Sequence, residues 1–110
     1  MRLPLPERAV VDIAKLRDYC LNQKHARGRH KARVFASALG ITRENAGVLR
    51  QALLEAAVSA EATLGDKDDY GQRYVLDFEV AGPAGKGTVR SRWIVLSGEE
   101  FPRLTSCYVL

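Results

Sequence analysis

The sequence predicts an α+β fold in which about three helices precede an antiparallel β-meander of three to four strands. Apolar residues recur with a helical period as far as Ala60 and with a period of two after it. Only short turn-forming stretches separate the later strands, and such connections join antiparallel neighbours. We therefore expect one domain, residues 1–110, with an extended lead-in at 1–8, a mainly helical part at 9–60 and the sheet at 61–110.

Three amphipathic stretches carry the helical prediction. The first begins after Asp12, a residue type that caps helix N-termini, and should end near Leu21. The second should begin near residue 29 or 30 and end before Gly40, where a left-handed glycine is typical. The third follows Thr42, another capping residue, and its alanine-rich stripe predicts close packing on the sheet. The apolar stripes of the three helices are Ile13, Leu16 and Cys20; Ala32, Phe35, Ala36 and Leu39; and Leu49, Ala52, Leu53, Ala56, Ala57 and Ala60.

Alternating apolar and polar residues predict the strands. We expect a short edge strand over 61–64, ended by a polar run at 65–69, and a longer strand around 73–80. A Gly-Pro-Ala-Gly turn leads to a strand over 88–96, and the last strand covers 104–109. In the third of these strands Val89, Trp93 and Val95 share the core face, which leaves Arg90 and Arg92 on the opposite face.

Composition limits the classes of function. The formal net charge of +4 and the isoelectric point near 9.3 favour an acidic partner. Cys20 and Cys107 lie far apart without CxxC spacing, which excludes a thiolate–zinc site, and we expect both to fill the core, a disulfide between them being the less frequent alternative. We predict no metal and no cofactor. No signal-peptide pattern and no apolar run of membrane-spanning length occurs, so we expect no membrane contact and a cytoplasmic location, unless another chain exports the domain.

A basic stretch over residues 25–35 is the main functional signal. It contains both histidines, His25 and His30, and no Asp or Glu occurs between Tyr19 and Arg43. Such a stretch attracts polyanions, and imidazoles can move protons near neutral pH. The structural alternative is a solvated basic turn before a helix. The cations of the stretch are Arg27, Arg29, Lys31 and Arg33.

The open face of the sheet offers a second cluster of charge. Arg90 and Arg92 point the same way and suit a phosphate clamp, although pairing with Asp77 or Glu79 on the adjacent strand would also explain them. Hydroxyls follow on the last strand, from Thr105, Ser106 and Tyr108.

Together these features suit metal-independent RNA cleavage. Attack of the ribose 2′-hydroxyl on the adjacent phosphorus needs a base, an acid and cations that stabilise developing charge. The scarcity of carboxylates near the basic stretch argues against a magnesium nuclease. The alternative function is a non-catalytic nucleic-acid-binding or protein-interaction module, the inactive partner of another small protein.

The chain also resembles an uncharacterised bacterial domain family with the pattern KL-DYLLN–HP-G–KA–F. Its members stand alone or form C-terminal domains of polymorphic toxins and phage proteins, and the family is similar to the barnase/EndoU/colicin/RelE group of RNase toxins. The resemblance implies N-terminal helices before a four-stranded antiparallel sheet, RNA as substrate, and a cognate antitoxin or immunity protein as partner. It covers the chain from about Val10 onward. The matching residues are Lys15, Leu16, Asp18, Tyr19, Leu21, Asn22, His25, Gly28, Lys31, Ala32 and Phe35, and later Tyr74, Val75, Val89, Arg90, Trp93, Ile94, Pro102, Arg103, Leu104 and Tyr108.

Site residues follow from this resemblance. It implies a catalytic group made of His25, Lys31, Arg90, Ser106 and Tyr108. The chain departs from the family pattern twice: Ala26 replaces the proline that usually follows the histidine, and Ser106 replaces a threonine while keeping the hydroxyl. The cations and imidazole outside the pattern are interpreted as nucleic-acid-binding; they are Arg27, Arg29, His30, Arg33 and Arg92.

Overall fold

The helices come first, as the apolar periodicity predicts. The computed structural model describes residues 1–110 and shows three helices before the sheet, preceded by a short 3₁₀ turn at Pro6–Arg8 in the predicted lead-in. Helices α1 (residues 13–20) and α2 (residues 29–39) each begin as α-helix and widen into a π-helical turn, whereas α3 follows a 3₁₀ turn at Arg43–Asn45. The helical bounds are Ile13–Lys15 and Leu16–Cys20 for α1, Arg29–Val34 and Phe35–Leu39 for α2, and Ala46–Ser59 for α3.

The sheet is a four-stranded antiparallel meander in the order β1-β2-β3-β4. This arrangement and the three preceding helices confirm the predicted α+β class. β1 is longer than expected, because the register shift between Leu64 and Lys67 accommodates Gly65 as a bulge and lets pairing continue into the acidic run. The strand bounds are β1 Ala62–Asp68, β2 Gly71–Gly82, β3 Gly85–Leu96 and β4 Arg103–Val109.

The helix ends use the predicted capping residues. The Asp12 carboxylate accepts a hydrogen bond from the Ala14 amide at 2.9 Å. Thr42 and Asn45 form a capping box, in which the Thr42 amide donates to Asn45 Oδ1 at 2.7 Å. Gly40 ends α2 with a φ of 69°, a left-handed conformation that glycine adopts without strain.

The core lies between the helices and one face of the sheet. Trp93 is completely buried, as predicted, and its indole N–H donates to Ser91 Oγ at 2.9 Å. Ser91 in turn donates to the Leu76 carbonyl, so the buried hydroxyl both accepts and donates a hydrogen bond. Cys20 and Cys107 are buried free thiols, which confirms that both fill the core. The alternative, a disulfide between them, is absent from the structure. The neighbouring Cys20 thiol and burial together raise the pKa of Cys107.

Two contacts fix the edges of the sheet against the helical layer. Val10 pairs in parallel with Arg103, and this adds a short extended segment to the free edge of β4. At the β2–β3 hairpin the Ala84 amide donates to the Leu39 carbonyl at 3.1 Å, and a Cβ on Gly82 would lie 2.0 Å from that oxygen. The hairpin tip therefore holds the C-terminal end of α2 in place. None of the helices combines the length and apolar character needed to cross a bilayer.

Candidate functional site

The face of the sheet opposite the core carries two rows of polar side chains. In the first row Asp77, Arg90 and Tyr108 lie directly opposite one another on β2, β3 and β4. In the second row Arg92 lies opposite Ser106. Because directly paired antiparallel residues share a face, these side chains form one polar surface. We call Lys31, Arg90, Arg92, Ser106 and Tyr108 the tyrosine site.

Arg90 is held by a carboxylate. Its Nε and Nη2 donate to the two oxygens of Asp77 at 2.9 and 2.8 Å, a bidentate geometry. The pair lowers the pKa of Asp77 and raises that of Arg90, so both groups are charged at neutral pH. The pairing considered as the structural explanation for Arg90 is therefore present, and it fixes the direction of the guanidinium at the edge of the tyrosine site.

Three cations surround the Tyr108 ring. Arg92 Nη2 donates to the phenol oxygen at 3.2 Å, and Lys31 Nζ lies 4.4 Å from the ring centroid. Arg90 occupies the paired position on β3. The hydrogen bond from Arg92 is the main cause that lowers the pKa of Tyr108. The charge of Arg90 lowers this pKa further, whereas burial raises it. Because positive charge stabilises the phenolate, this phenol is better suited to proton transfer than an isolated tyrosine.

The structure brings Lys31 to the sheet from a distant part of the chain. It belongs to α2, while every other member of the tyrosine site belongs to β3 or β4. Of the residues predicted to be catalytic, Lys31, Arg90, Ser106 and Tyr108 are thus on one surface. The catalytic roles themselves remain predictions.

His25 forms hydrogen bonds with the backbone of its own loop. Its Nδ1 accepts hydrogen bonds from the amides of Arg27 at 3.0 Å and Gly28 at 3.1 Å, and its ring packs edge-on against Tyr19 at 4.8 Å. An accepting Nδ1 carries no proton, so the neutral ring is protonated at Nε2. No hydrogen bond joins His25 to Lys31 or Tyr108, and the ring caps the loop that leads into α2.

The remaining residues of the basic stretch divide between local and solvent-facing roles. Arg29 Nη1 donates to the Ala26 carbonyl at 3.1 Å within the same loop. Arg27, His30 and Arg33 are exposed and make no side-chain hydrogen bond. Arg27 and Arg33 lie near the start of α2 as unpaired positive charge, and the His30 ring is exposed beside them. No group of three or more His, Cys, Asp or Glu side chains is arranged to hold a metal ion.

Sequence reasoning named the Thr105 hydroxyl but missed the rest of the open face beyond Arg92. Arg73, Ile94 and Thr105 continue this surface toward Tyr70, where a cavity opens. Alternation in β2 places Arg73 on the outer face, but only the pairing of Arg73 with Ile94 shows where along β3 it lies. The sequence therefore predicted the face on which Arg73 lies, but not its position along the neighbouring strand.

Comparison with protein-family models matches residues 2–110 to a domain of unknown function, DUF6883. The chain belongs to this family. The match spans almost the whole chain, including every residue of the tyrosine site. A comparison of this DUF6883 domain with curated protein sequences finds no significant match.

A solved structure shares the fold of this DUF6883 domain. It is the contact-dependent growth inhibition toxin–immunity protein complex from Klebsiella pneumoniae 342, one chain of which superposes with a TM-score of 0.70. The alignment covers 92% of this chain and 99% of that chain at 19% sequence identity. At this identity the likeness shows the fold alone.

Proposed function

We propose that this DUF6883 domain is a metal-independent endoribonuclease of the bacterial toxin type. The observation that carries the proposal is the placement of the Tyr108 phenol among Lys31, Arg90 and Arg92 on the open sheet face. Phosphodiester cleavage needs a proton-transfer group beside cations, and this surface provides both. The fold shared with a toxin–immunity complex supports the toxin context.

The proposed reaction uses the phenolate of Tyr108 as the base. It takes the proton of the ribose 2′-hydroxyl, the 2′ oxygen forms a bond to phosphorus, and the bond from phosphorus to the 5′ oxygen breaks. The Lys31 ammonium, which lies over the Tyr108 ring, gives a proton to the departing 5′ oxygen. The products are a 2′,3′-cyclic phosphate and a 5′-hydroxyl end, and no metal takes part.

The two arginines and the serine bind the phosphate in this proposal. Asp77 aims the Arg90 guanidinium, and Arg92 lies opposite the Ser106 hydroxyl in the adjacent row. Guanidinium groups match phosphate oxygens in shape and charge, and they stabilise the negative charge that builds up during attack.

His25 acts as a positioning residue in the proposal. Its Nδ1 is occupied by two backbone amides, so an imidazolium that could donate a proton would have to give up both bonds. By capping the loop at Arg27 and Gly28, the ring fixes the start of α2 and therefore the place of Lys31. The positive charges of Arg27, Arg29 and Arg33 attract the RNA backbone more broadly, and the exposed His30 ring among them offers a further contact.

Tyr108→Phe is the decisive variant, because it keeps the ring beneath Lys31 and removes only the hydroxyl. We expect the native protein to cleave RNA in the presence of EDTA and to leave 2′,3′-cyclic phosphate ends. Tyr108→Phe should lower the rate by roughly 10²- to 10⁴-fold, the usual contribution of a general acid or base. Induced expression of the native chain, but not of Tyr108→Phe, should arrest bacterial growth.

Two experimental outcomes would contradict the proposed function or the proposed role of Tyr108. Folded native protein that binds RNA but cleaves none would identify a binding module instead. Cleavage that survives in Tyr108→Phe, with an unchanged rate, would remove Tyr108 from the mechanism. Circular dichroism of both proteins provides the folding control.

We also propose an acidic immunity protein as the partner of this domain. The net charge of +4 and the cations around the tyrosine site favour a negatively charged partner surface. In this setting the domain acts on RNA in the cytoplasm, after delivery by another system or after release from its inhibitor. Binding of a candidate immunity protein should weaken as salt rises and should block access of RNA; salt-independent binding would contradict the charge argument.

A further inference from the structure

A cavity of about 370 Å³ opens at the end of the sheet face away from the β2–β3 hairpin. Its floor is apolar and comes from Val10, Ile94, Leu96 and Leu104. Tyr70, in the turn between β1 and β2, stands at the rim with 72% of its surface exposed. An aromatic side chain this exposed beside an apolar floor is suited to cover a flat ring.

The cavity adjoins a depression that reaches Arg92 of the tyrosine site. Arg73 and Thr105 line it and also line the neighbouring depression that contains Arg92. On β3, Ile94 follows Arg92 on the same outer face, about 7 Å farther along the strand. A strand of nucleic acid with its phosphate at Arg92 could therefore place an adjacent base in the cavity.

The charges around the cavity favour a base attached to a backbone over a free anion. Arg103 is already bound by both oxygens of Glu99, at 2.7 and 2.9 Å, and Arg73 pairs with Asp68. Lys15 is the lining cation that has no carboxylate partner. The Asp12 carboxylate also lines the cavity and has no ion-pair partner, so the two lining charges outside ion pairs, Asp12 and Lys15, are opposite in sign. A lining without excess positive charge suits an uncharged planar ring better than a phosphate.

We propose that this cavity is a nucleobase subsite, in which one base of the RNA strand stacks on Tyr70 above the floor formed by Ile94 and Leu96. The inference rests on the proposed function in one respect: it takes RNA as the ligand of the adjoining site. It adds a base-binding position outside the tyrosine site and assigns Tyr70 as its stacking residue.

The test uses a fluorescent RNA of about eight nucleotides, within the usual span of single-strand grooves, with 2′-O-methyl groups throughout so that it cannot be cleaved. Fluorescence anisotropy measures its affinity for the native chain and for Tyr70→Ala. We expect Tyr70→Ala to weaken binding roughly 5- to 100-fold, the range for loss of one stacked base. Tyr70→Phe, which keeps the ring, should bind within about two-fold of the native protein.

Two controls separate stacking from general attraction. Val58→Ala removes an exposed apolar side chain of α3 and should leave the affinity unchanged. An oligomer of the same length without bases should bind the native chain and Tyr70→Ala equally. The subsite is overturned if the native chain does not bind the octamer, if Tyr70→Ala binds it normally, or if the loss is the same for the oligomer without bases.

Failure of the subsite and failure of the endoribonuclease proposal give different results. Tyr70-dependent binding without any RNA cleavage would retain the subsite and reject the enzyme. Cleavage that depends on Tyr108, together with normal binding by Tyr70→Ala, would retain the enzyme and reject the subsite.

Discussion

Arg92 donates a hydrogen bond to the phenol oxygen of Tyr108 at 3.2 Å, from the neighbouring strand of the sheet. This contact places the positive charge of an arginine at the phenol oxygen, the group that the proposed mechanism uses as its base. It links the sheet register to the chemistry, because the pairing of β3 with β4 determines which arginines reach the phenol.

The first prediction concerns the titration of Tyr108. Since Arg92 and then Arg90 lower its pKa, Tyr108 should titrate below the ordinary tyrosine value of about 10. A lowered pKa in the folded state adds stability above the unfolded value, and this contribution is lost as pH falls through the folded value. NMR of ring-labelled tyrosine, with Tyr108→Phe for assignment, measures the pKa.

Arg92→Ala should move the Tyr108 titration upward toward the ordinary value. If Tyr108 acts as the base, the rising limb of the pH–rate profile for RNA cleavage should move upward with it. A Tyr108 signal that titrates with the other tyrosines in the native protein would contradict this prediction.

A second prediction follows from the bidentate pair of Asp77 and Arg90. Asp77→Asn should release the guanidinium and lower the RNA cleavage rate by roughly 10- to 100-fold, because a misplaced phosphate ligand lowers the fraction of productive complexes. Stability should change little, since both side chains are more than one-third exposed. Glu79→Gln is the matched control, because Glu79 is an exposed carboxylate of the same strand without an ion pair.

The stability effect of Asp77→Asn should also depend on pH. The folded-state pKa of Asp77 is lowered, chiefly by Arg90, so the pair stabilises the fold above the unfolded value of about 4 and loses this effect as pH falls through the folded value. The small difference in stability between the variant and the native chain should therefore be present at neutral pH and vanish at strongly acidic pH, as measured by urea unfolding. A difference that grows on acidification would be inconsistent with the pair.

The third prediction separates two roles for His25. His25→Ala leaves the Arg27 and Gly28 amides without their acceptor and should cost about 1 kcal/mol, the typical effect of removing a cap. His25→Asn offers a side-chain oxygen to the same amides and should recover most of that loss. Urea unfolding measures both.

Activity of the two His25 variants then discriminates between positioning and proton transfer. A positioning residue should lose RNA cleavage in His25→Ala and regain much of it in His25→Asn. If a stable His25→Asn protein were as inactive as Tyr108→Phe, a chemical role for the imidazole would be established instead.

The fourth prediction concerns the free cations near the start of α2. Replacing Arg27 and Arg33 with glutamine should weaken RNA binding and reduce the slope of log affinity against log salt by about 0.7 for each arginine that contacts a phosphate. Arg17→Gln removes the same charge from α1 and serves as the control. Equal losses per charge from both helices would show that net charge alone controls binding.

The local spacing of apolar residues was sufficient to predict the helices and strands and the face that each of them buries. Apolar spacing in α2 places Phe35 and Leu39 in the core, and alternation in β3 separates Trp93 from Arg90 and Arg92, as the structure confirms. These predictions succeed because burial follows directly from the helical and strand periods. The extent of β1 was wrong because a glycine bulge allows pairing to continue where composition indicates a turn.

The composition of the tyrosine site was predictable, but its geometry was not. The sequence by itself determined which residues face away from the core and which stretch is basic, since these depend on spacing of a few residues. Only the tertiary structure decided that Lys31 meets Tyr108, that Asp77 aims Arg90 and that Tyr70 borders a cavity. Those contacts depend on strand register and on the docking of α2, which are set by many weak interactions between distant segments. For the same reason the sequence did not show that Nδ1 of His25 accepts hydrogen bonds from the backbone of its own loop, and the catalytic role of His25 stays a prediction.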